Sequence, residues 1–206
     1  MVLCKICIDK ATIMKNKFFA FTSRIKYINR WALMRNTTYE NLGQHSGEVA
    51  TLAHALAVIG NRRLNKSYEV SRAALLGLYH DTPEIITGDM PTPVKYYSKE
   101  MRDVFGMVEK NACNKLMDML PDDFQADFEP LFFPKEEDKE LWRLVKAADK
   151  LSAYIKCIEE RKAGNTEFSD AEKTIKKALL NSECEEVKIF ISEFISSYEL
   201  PLDKLK

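Results

Sequence analysis

Apolar residues recur at three- and four-residue intervals over most of this chain, and runs that alternate apolar with polar are almost absent, so the pattern predicts helices rather than strands. After His45, the positions Val49, Leu52, Ala53, Leu56, Ala57 and Ile59 form one broad apolar face, on the side where His45 and Glu48 also lie. Ala73 to Tyr79 form an apolar run suited to a buried helix, and Pro83 follows closely enough to end or kink it. Leu141, Leu144, Val145, Ala148, Ser152 and Ile155 make a third stripe. Further on, Ala171, Ile175, Ala178, Leu179, Val187, Ile189, Phe190, Ile191, Phe194 and Ile195 keep helical spacing, predicting helices that complete the domain or form a subunit contact. Loops are expected near residues 36–41, 61–67, 87–98, 120–123, 132–136 and 164–168, where Pro, Gly, Asn or charged residues gather. None is long enough to read as an interdomain linker. With seven glycines in 206 residues, the expectation is an all-α single domain of about seven to nine helices.

Composition narrows the partners. At 46% hydrophobic and 30% charged, the chain has the make-up of a folded, water-soluble protein. Lys plus Arg and Asp plus Glu both total 31, which leaves no basic excess to hold a nucleic-acid polymer, so a small-molecule substrate is expected. The apolar start, Met1 to Ile8, is broken by Lys5 and is too short for a signal-peptide core or a membrane span. The five cysteines (Cys4, Cys7, Cys113, Cys157 and Cys184) are odd in number and scattered, which suits reduced thiols and predicts a cytoplasmic protein without a membrane partner. Cys4 and Cys7 form a C-x-x-C pair, but no second pair follows and no βαβ pattern surrounds it, which argues against a zinc or redox role. Gly-rich phosphate loops are absent, so recognition of phosphate would fall to side chains and metal.

The candidate chemistry lies in four residues in fixed order: His45, the dipeptide His80-Asp81, and Asp149. Singly, each has an ordinary reading, because histidines near apolar helix faces are mostly hydrogen-bonded core or surface residues. Together they offer two imidazoles and two carboxylates to one divalent cation. His80 and Asp81 fall near a helix C-terminus, and Asp149 sits beside an apolar stripe where an uncompensated carboxylate is costly. Glu84 follows Asp81 by three residues and His80 by four, so it shares their side if the helical turn continues through Pro83. The remaining histidine, His54, lies on a different azimuth from His45 and reads as a packing or surface residue.

The order His, His-Asp, Asp resembles the HD-domain superfamily of metal-dependent phosphohydrolases. The segments Arg24 to Asn36, Glu40 to Ser46, Tyr79 to Tyr96 and Val145 to Asp149 resemble, more narrowly, the bacterial 5′-deoxynucleotidases of that superfamily. The likeness runs from about Phe18 to about Phe168. Residues 1–13 depart from it and are expected to be a disordered N-terminal extension, with residues 14–206 forming a single HD-domain helical bundle. The resemblance implies one divalent ion, manganese, cobalt, iron or zinc, held by His45, His80, Asp81 and Asp149. It implies that Arg30 takes the phosphate, for which a planar guanidinium fork is suited, and that Trp31 packs on sugar or base. Asp89, Met90, Pro91 and Thr92 would complete a nucleotide pocket with His45, Asp81 and Asp149. Glu84 is the candidate for orienting or deprotonating the attacking water. Asp89 would either protonate the leaving alkoxide or hydrogen-bond the sugar. A homodimer is implied as well. The activity implied is hydrolysis of deoxyribonucleoside 5′-monophosphates. Alternatives are another HD hydrolase, acting on a nucleoside triphosphate, a cyclic nucleotide or an alarmone, and a non-catalytic metal-dependent nucleotide sensor.

Overall fold

The apolar spacing folds into seven helices of eight residues or more and three shorter turns, and the described residues contain no strand. The structure, a computed structural model, describes residues 16–206 except Tyr96; the expected extension over 1–13 and the Cys4 and Cys7 pair lie outside the described residues. In chain order the helices are α1 (Phe18–Thr22), α2 (Leu42–Arg63), α3 (Val70–Tyr79), α4 (Glu84–Thr87), α5 (Thr92–Lys95), α6 (Lys99–Met117), α7 (Gln125–Phe132), α8 (Lys139–Lys162), α9 (Ser169–Leu180) and α10 (Glu185–Glu193). The long helices number within the expected seven to nine, and the fold is the all-α one that the periodicity predicts.

α2, α3 and α8 form the centre. Val49, Leu52, Ala53 and Leu56 of α2 meet Ala73 and Leu76 of α3 and Leu144, Val145, Ala148, Leu151 and Ile155 of α8 in one buried cluster. Each fully buried Val, Leu or Ile among them contributes roughly 1.5–3 kcal/mol relative to exposure. α9 and α10 close the cluster with Leu179, Val187 and Phe190, so the last stretch completes the domain. Buried Glu186 on α10 accepts hydrogen bonds from Arg143 of α8 (3.0 and 3.1 Å) and from Tyr68 (2.9 Å). A smaller cluster, Phe18, Cys113, Leu116, Leu120 and Phe132, joins α1, α6 and α7.

Two local features set the site. α2 begins with a reciprocal cap in which Asn41 Oδ1 accepts from the Gln44 N–H and Gln44 Oε1 accepts from the Asn41 N–H, both at 3.0 Å, and this fixes the first turn, which carries His45. Gly77 lets α3 approach α2 closely, because a Cβ there would stand 2.9 Å from Ala50 Cα and 3.1 Å from the Val49 carbonyl oxygen. One turn beyond Gly77 comes His80, and about one turn before Ala50 comes His45.

One loop boundary differs from expectation. The loop expected at 61–67 starts later, because α2 continues through Asn61, Arg62 and Arg63. Arginines in a last helical turn interact favourably with the helix dipole, so their charge does not mark a loop. The loop at 87–98 contains the single turn α5. No helix among the described residues is long and apolar enough to cross a membrane.

Candidate active site

α3 ends at Tyr79, and the chain passes through His80 and Asp81 in tight turns: Thr82 N–H donates to the Tyr79 carbonyl at 3.1 Å and Glu84 N–H to the Asp81 carbonyl at 2.9 Å. The turn thus continues through Pro83 and brings Glu84 to the side of the dipeptide. His80 Nδ1 lies 2.8 Å from the Gly77 carbonyl oxygen, which fixes the ring with Nε2 directed inward. The His45 and His80 rings have centroids 5.2 Å apart.

His45 is fully buried. Its Nε2 stands 3.1 Å from Asp149 Oδ1 and 3.4 Å from Asp81 Oδ2, and His80 Nε2 is 3.1 Å from the same Asp81 oxygen. Both Nε2 atoms are buried and without a hydrogen-bond partner. His45, His80 and Asp81 each offer a ligand atom within 4.8 Å of the others. The four predicted residues therefore come together from α2, the α3 terminus and the middle of α8, although Asp149 keeps 44% of its side chain exposed to the cleft.

The carboxylates around His45 set its charge. Burial works against a charged His45, yet the carboxylates of Asp149, Asp81 and Glu40 overcome it and hold its pKa up to about 10. Burial would raise Asp81 too, but His80 and His45 bring it below the usual carboxylate range, and His45 does the same for Asp149. Two orphaned imidazole nitrogens facing two ionised carboxylates match the donor set that binds a divalent transition-metal ion, so the residues present fit such an ion.

Arg30 and Trp31 come from the stretch before α2. The segment from residue 28 to 41 is a loop closed at its base by an isolated antiparallel bridge between Asn29 and Asn41. Arg30 N–H donates to the Glu40 carbonyl at 2.9 Å, which sets the two residues opposite each other. Arg30 Nη1 donates to Glu40 Oε1 at 2.9 Å, and its Nη2 lies 3.8 Å from Asp149 Oδ1. Trp31 has a φ of 60°, a left-handed conformation costly for a bulky residue. It is held by an Nε1–H donation to Glu40 Oε2 at 2.9 Å and by an edge contact with Phe168 at 5.3 Å.

Glu84 and Asp89 follow the dipeptide, and Glu84 lines one cavity with His80 and Asp81. Burial, then the charges of Asp81 and Asp89, push the Glu84 carboxyl up to about 9, and its Oε2 is buried without a partner. Burial raises Asp89 as well, while Arg30, His45 and the Trp31 backbone act in the opposite direction. Gly88, with a φ of 74°, ends α4 in a conformation that favours glycine and turns the chain into Asp89. Met90 and Pro91 are partly buried in that loop, and Thr92 begins α5. A cavity of about 260 Å³ opens beside His80, Asp81 and Glu84, bounded across by Glu109, Cys113 and Phe132. His54 is exposed, as expected.

Three contributors carry no role in the sequence reading. Glu40 binds both Arg30 and Trp31. Ser152 Oγ donates to Glu48 Oε2 at 2.5 Å and stands 3.1 Å from His45 Nδ1. The available signal was position: Glu48 and Ser152 lie on the inward stripes of α2 and α8, and Glu40 lies just before the α2 cap.

The helical arrangement and this cluster define a class, the HD-domain metal-dependent phosphohydrolases. Among solved structures of similar fold is an HD-domain phosphohydrolase of Listeria innocua, with a TM-score of 0.75 and 21% identity, covering 88% of each chain. Another is the HD phosphohydrolase DatZ of cyanophage S-2L, bound to dA and one catalytic zinc ion, with a TM-score of 0.62, 21% identity and coverage of 86% of this chain and 96% of that one. More narrowly, the chain belongs to the YfbR-like 5′-deoxynucleotidase family, whose model matches residues 17–198. It is 44% identical over 191 residues to the 5′-deoxynucleotidase PBPRA2627 of Photobacterium profundum, covering 93% of this chain and 98% of that protein. With a 5′-deoxynucleotidase of Yersinia pestis it shares 46% identity over 188 residues, covering 91% of this chain and 95% of that protein.

Proposed function

We propose that this protein hydrolyses deoxyribonucleoside 5′-monophosphates to deoxyribonucleosides and inorganic phosphate, with one divalent ion held by His45, His80, Asp81 and Asp149. The observation that carries the reading is the pair of buried, partnerless Nε2 atoms of His45 and His80 facing Asp81 and Asp149 beside the Arg30 guanidinium. Membership of the family supports it. The ion, manganese, cobalt, iron or zinc by its donor set, supplies Lewis acidity towards a phosphate oxygen and lowers the pKa of water.

The protein's own residues do the rest. Arg30 presents its planar fork to the phosphate oxygens, with Glu40 holding one edge of the guanidinium. Trp31 packs against the sugar or base, and the Asp89 to Thr92 stretch closes over it. Glu84, with a buried partnerless oxygen, orients the attacking water in line with the phosphorus. A bond forms from the water oxygen to phosphorus as the bond from phosphorus to the 5′-oxygen breaks. Asp89 delivers the proton to the departing 5′-oxygen. A monophosphate is favoured over a triphosphate, in keeping with the family to which the chain belongs.

The same proposal includes a homodimer in the cytoplasm. A reducing compartment is supported by the free thiols Cys113, Cys157 and Cys184, and a subunit contact by the exposed apolar row Met101, Val104 and Val108 on α6. The test is phosphate release from a panel of deoxyribonucleoside and ribonucleoside monophosphates and triphosphates. Release concentrated on the deoxyribonucleoside monophosphates is expected; preference for triphosphates would move the protein to another HD hydrolase, and no release at all would leave a nucleotide sensor.

A further inference from the structure

We propose that Glu40 is a positioning residue that joins the phosphate arm to the metal centre, its carboxylate orienting His45 while holding Arg30 and Trp31. The inference rests on the reading of His45 as a metal ligand given above.

The argument starts from the hydrogen-bond capacity of His45. Its Nε2 faces Asp81 and Asp149. An imidazole that gives the Nε2 lone pair to a cation carries its proton on Nδ1, and that N–H needs an acceptor to fix the ring. Three groups lie around Nδ1: Arg30 Nη1 at 2.9 Å, Ser152 Oγ at 3.1 Å and Glu40 Oε1 at 3.4 Å. A guanidinium has no acceptor, so Arg30 cannot serve. Of the two that remain, Ser152 Oγ is the nearer and gives its own proton to Glu48 Oε2, while Glu40 alone carries charge, and a charged acceptor makes the stronger bond to an imidazole N–H within its reach. It is also immobilised: Arg30 Nη1 reaches the same Oε1 at 2.9 Å, Trp31 Nε1 reaches Oε2 at 2.9 Å, and the Glu40 carbonyl takes the Arg30 backbone N–H. One carboxylate therefore touches the ligand, the phosphate-binding cation and the substrate-packing ring. Movement of any of these three is felt by the others through Glu40.

The test uses the full-length protein, stripped of metal and titrated with Zn²⁺ against a competing chelator. Zn²⁺ is diamagnetic, so tryptophan emission can be followed in the same titration. The chain has two tryptophans, and a Trp142→Phe background leaves Trp31 as the reporter. Glu40→Gln keeps the shape and removes the charge; it should weaken Zn²⁺ binding about 10- to 100-fold and abolish the Trp31 emission change that accompanies binding. Ser152→Ala should change Zn²⁺ affinity far less. Wild-type Zn²⁺ affinity with an unchanged Trp31 response in Glu40→Gln would overturn the inference, and loss in Ser152→Ala alone would transfer the orienting role to Ser152. If Glu40→Gln does not fold by circular dichroism, Glu40→Asp carries the test: it withdraws the carboxylate by one methylene, and undiminished affinity would again overturn the inference. Failure of the unsubstituted protein to bind Zn²⁺ would remove the metal site itself, an outcome distinct from equal binding by the two proteins.

Discussion

His45, His80 and Asp81 were readable as a group because two imidazoles and a carboxylate close to apolar faces require a common partner, and folding places their ligand atoms within 4.8 Å of one another. Glu40 was not readable in this way. A glutamate just before a helix cap resembles any solvated residue, and its use depends on a loop closure between residues distant along the chain, Asn29 and Asn41. Ser152 and Glu48 were visible only as members of inward stripes, since polar residues on such faces have several possible partners. The turn continues through Pro83, and Glu84 lines one cavity with His80 and Asp81, the side that its spacing suggests. Its proposed part in orienting water predicts that Glu84→Ala keeps its metal, measured by elemental analysis, while turnover falls about a hundredfold or more. Unchanged turnover would take Glu84 out of the mechanism.

At the scale of elements, the stripes on α2, α3 and α8 gave the helices and their inward faces, since burial follows the apolar period closely. Helix ends were less legible: Asn61 to Arg63 look like a loop by charge but suit the end of a helix. The close approach of α2 and α3 at Gly77 was not legible at all, because one glycine in an apolar run does not say which backbone it meets. Gly77→Ala should force the helices apart and cost about 1–3 kcal/mol. A thermal melt should show this as a fall of about 2–4 °C for each kcal/mol, with weaker metal binding as His80 moves from His45; an unchanged melt would show that the helices adjust freely.

The loop bearing Arg30 and Trp31 has its own anchor on α8. Buried Glu160 accepts from Thr37 N–H and Oγ1–H at 2.9 and 2.7 Å and from Asn165 at 2.7 Å, and it pairs with Lys156, whose ammonium also donates to the Thr38 carbonyl at 2.6 Å. Burial alone would raise its pKa, but Lys156, Asn165 and Thr37 hold it at about 2, below the ordinary 4.5. A depressed folded-state pKa stabilises the fold above the unfolded value, and that contribution is lost as pH falls through the folded one. Between pH 4.5 and about 2, denaturation midpoints should therefore fall more steeply for the wild type than for Glu160→Gln. Parallel pH profiles would show that Glu160 does not contribute through its charge.

Across the whole molecule, α2, the α3 terminus and α8 each deliver part of the cluster, so the core that packs these helices also positions the candidate metal ligands. The class was legible in the sequence because segments well apart along the chain match one family. The loops were less so, since their conformations depend on contacts such as Glu160 with Thr37 that leave no periodic trace. Central to this account is hydrolysis that depends on an ion at the buried cluster. It is tested most directly by phosphate release from a deoxyribonucleoside monophosphate by metal-stripped protein, before and after one equivalent of Mn²⁺ per chain, with Asp149→Asn alongside. Release should be absent in the stripped protein, return with the added ion, and return only at higher Mn²⁺ in the variant; undiminished release from the stripped protein would contradict the account.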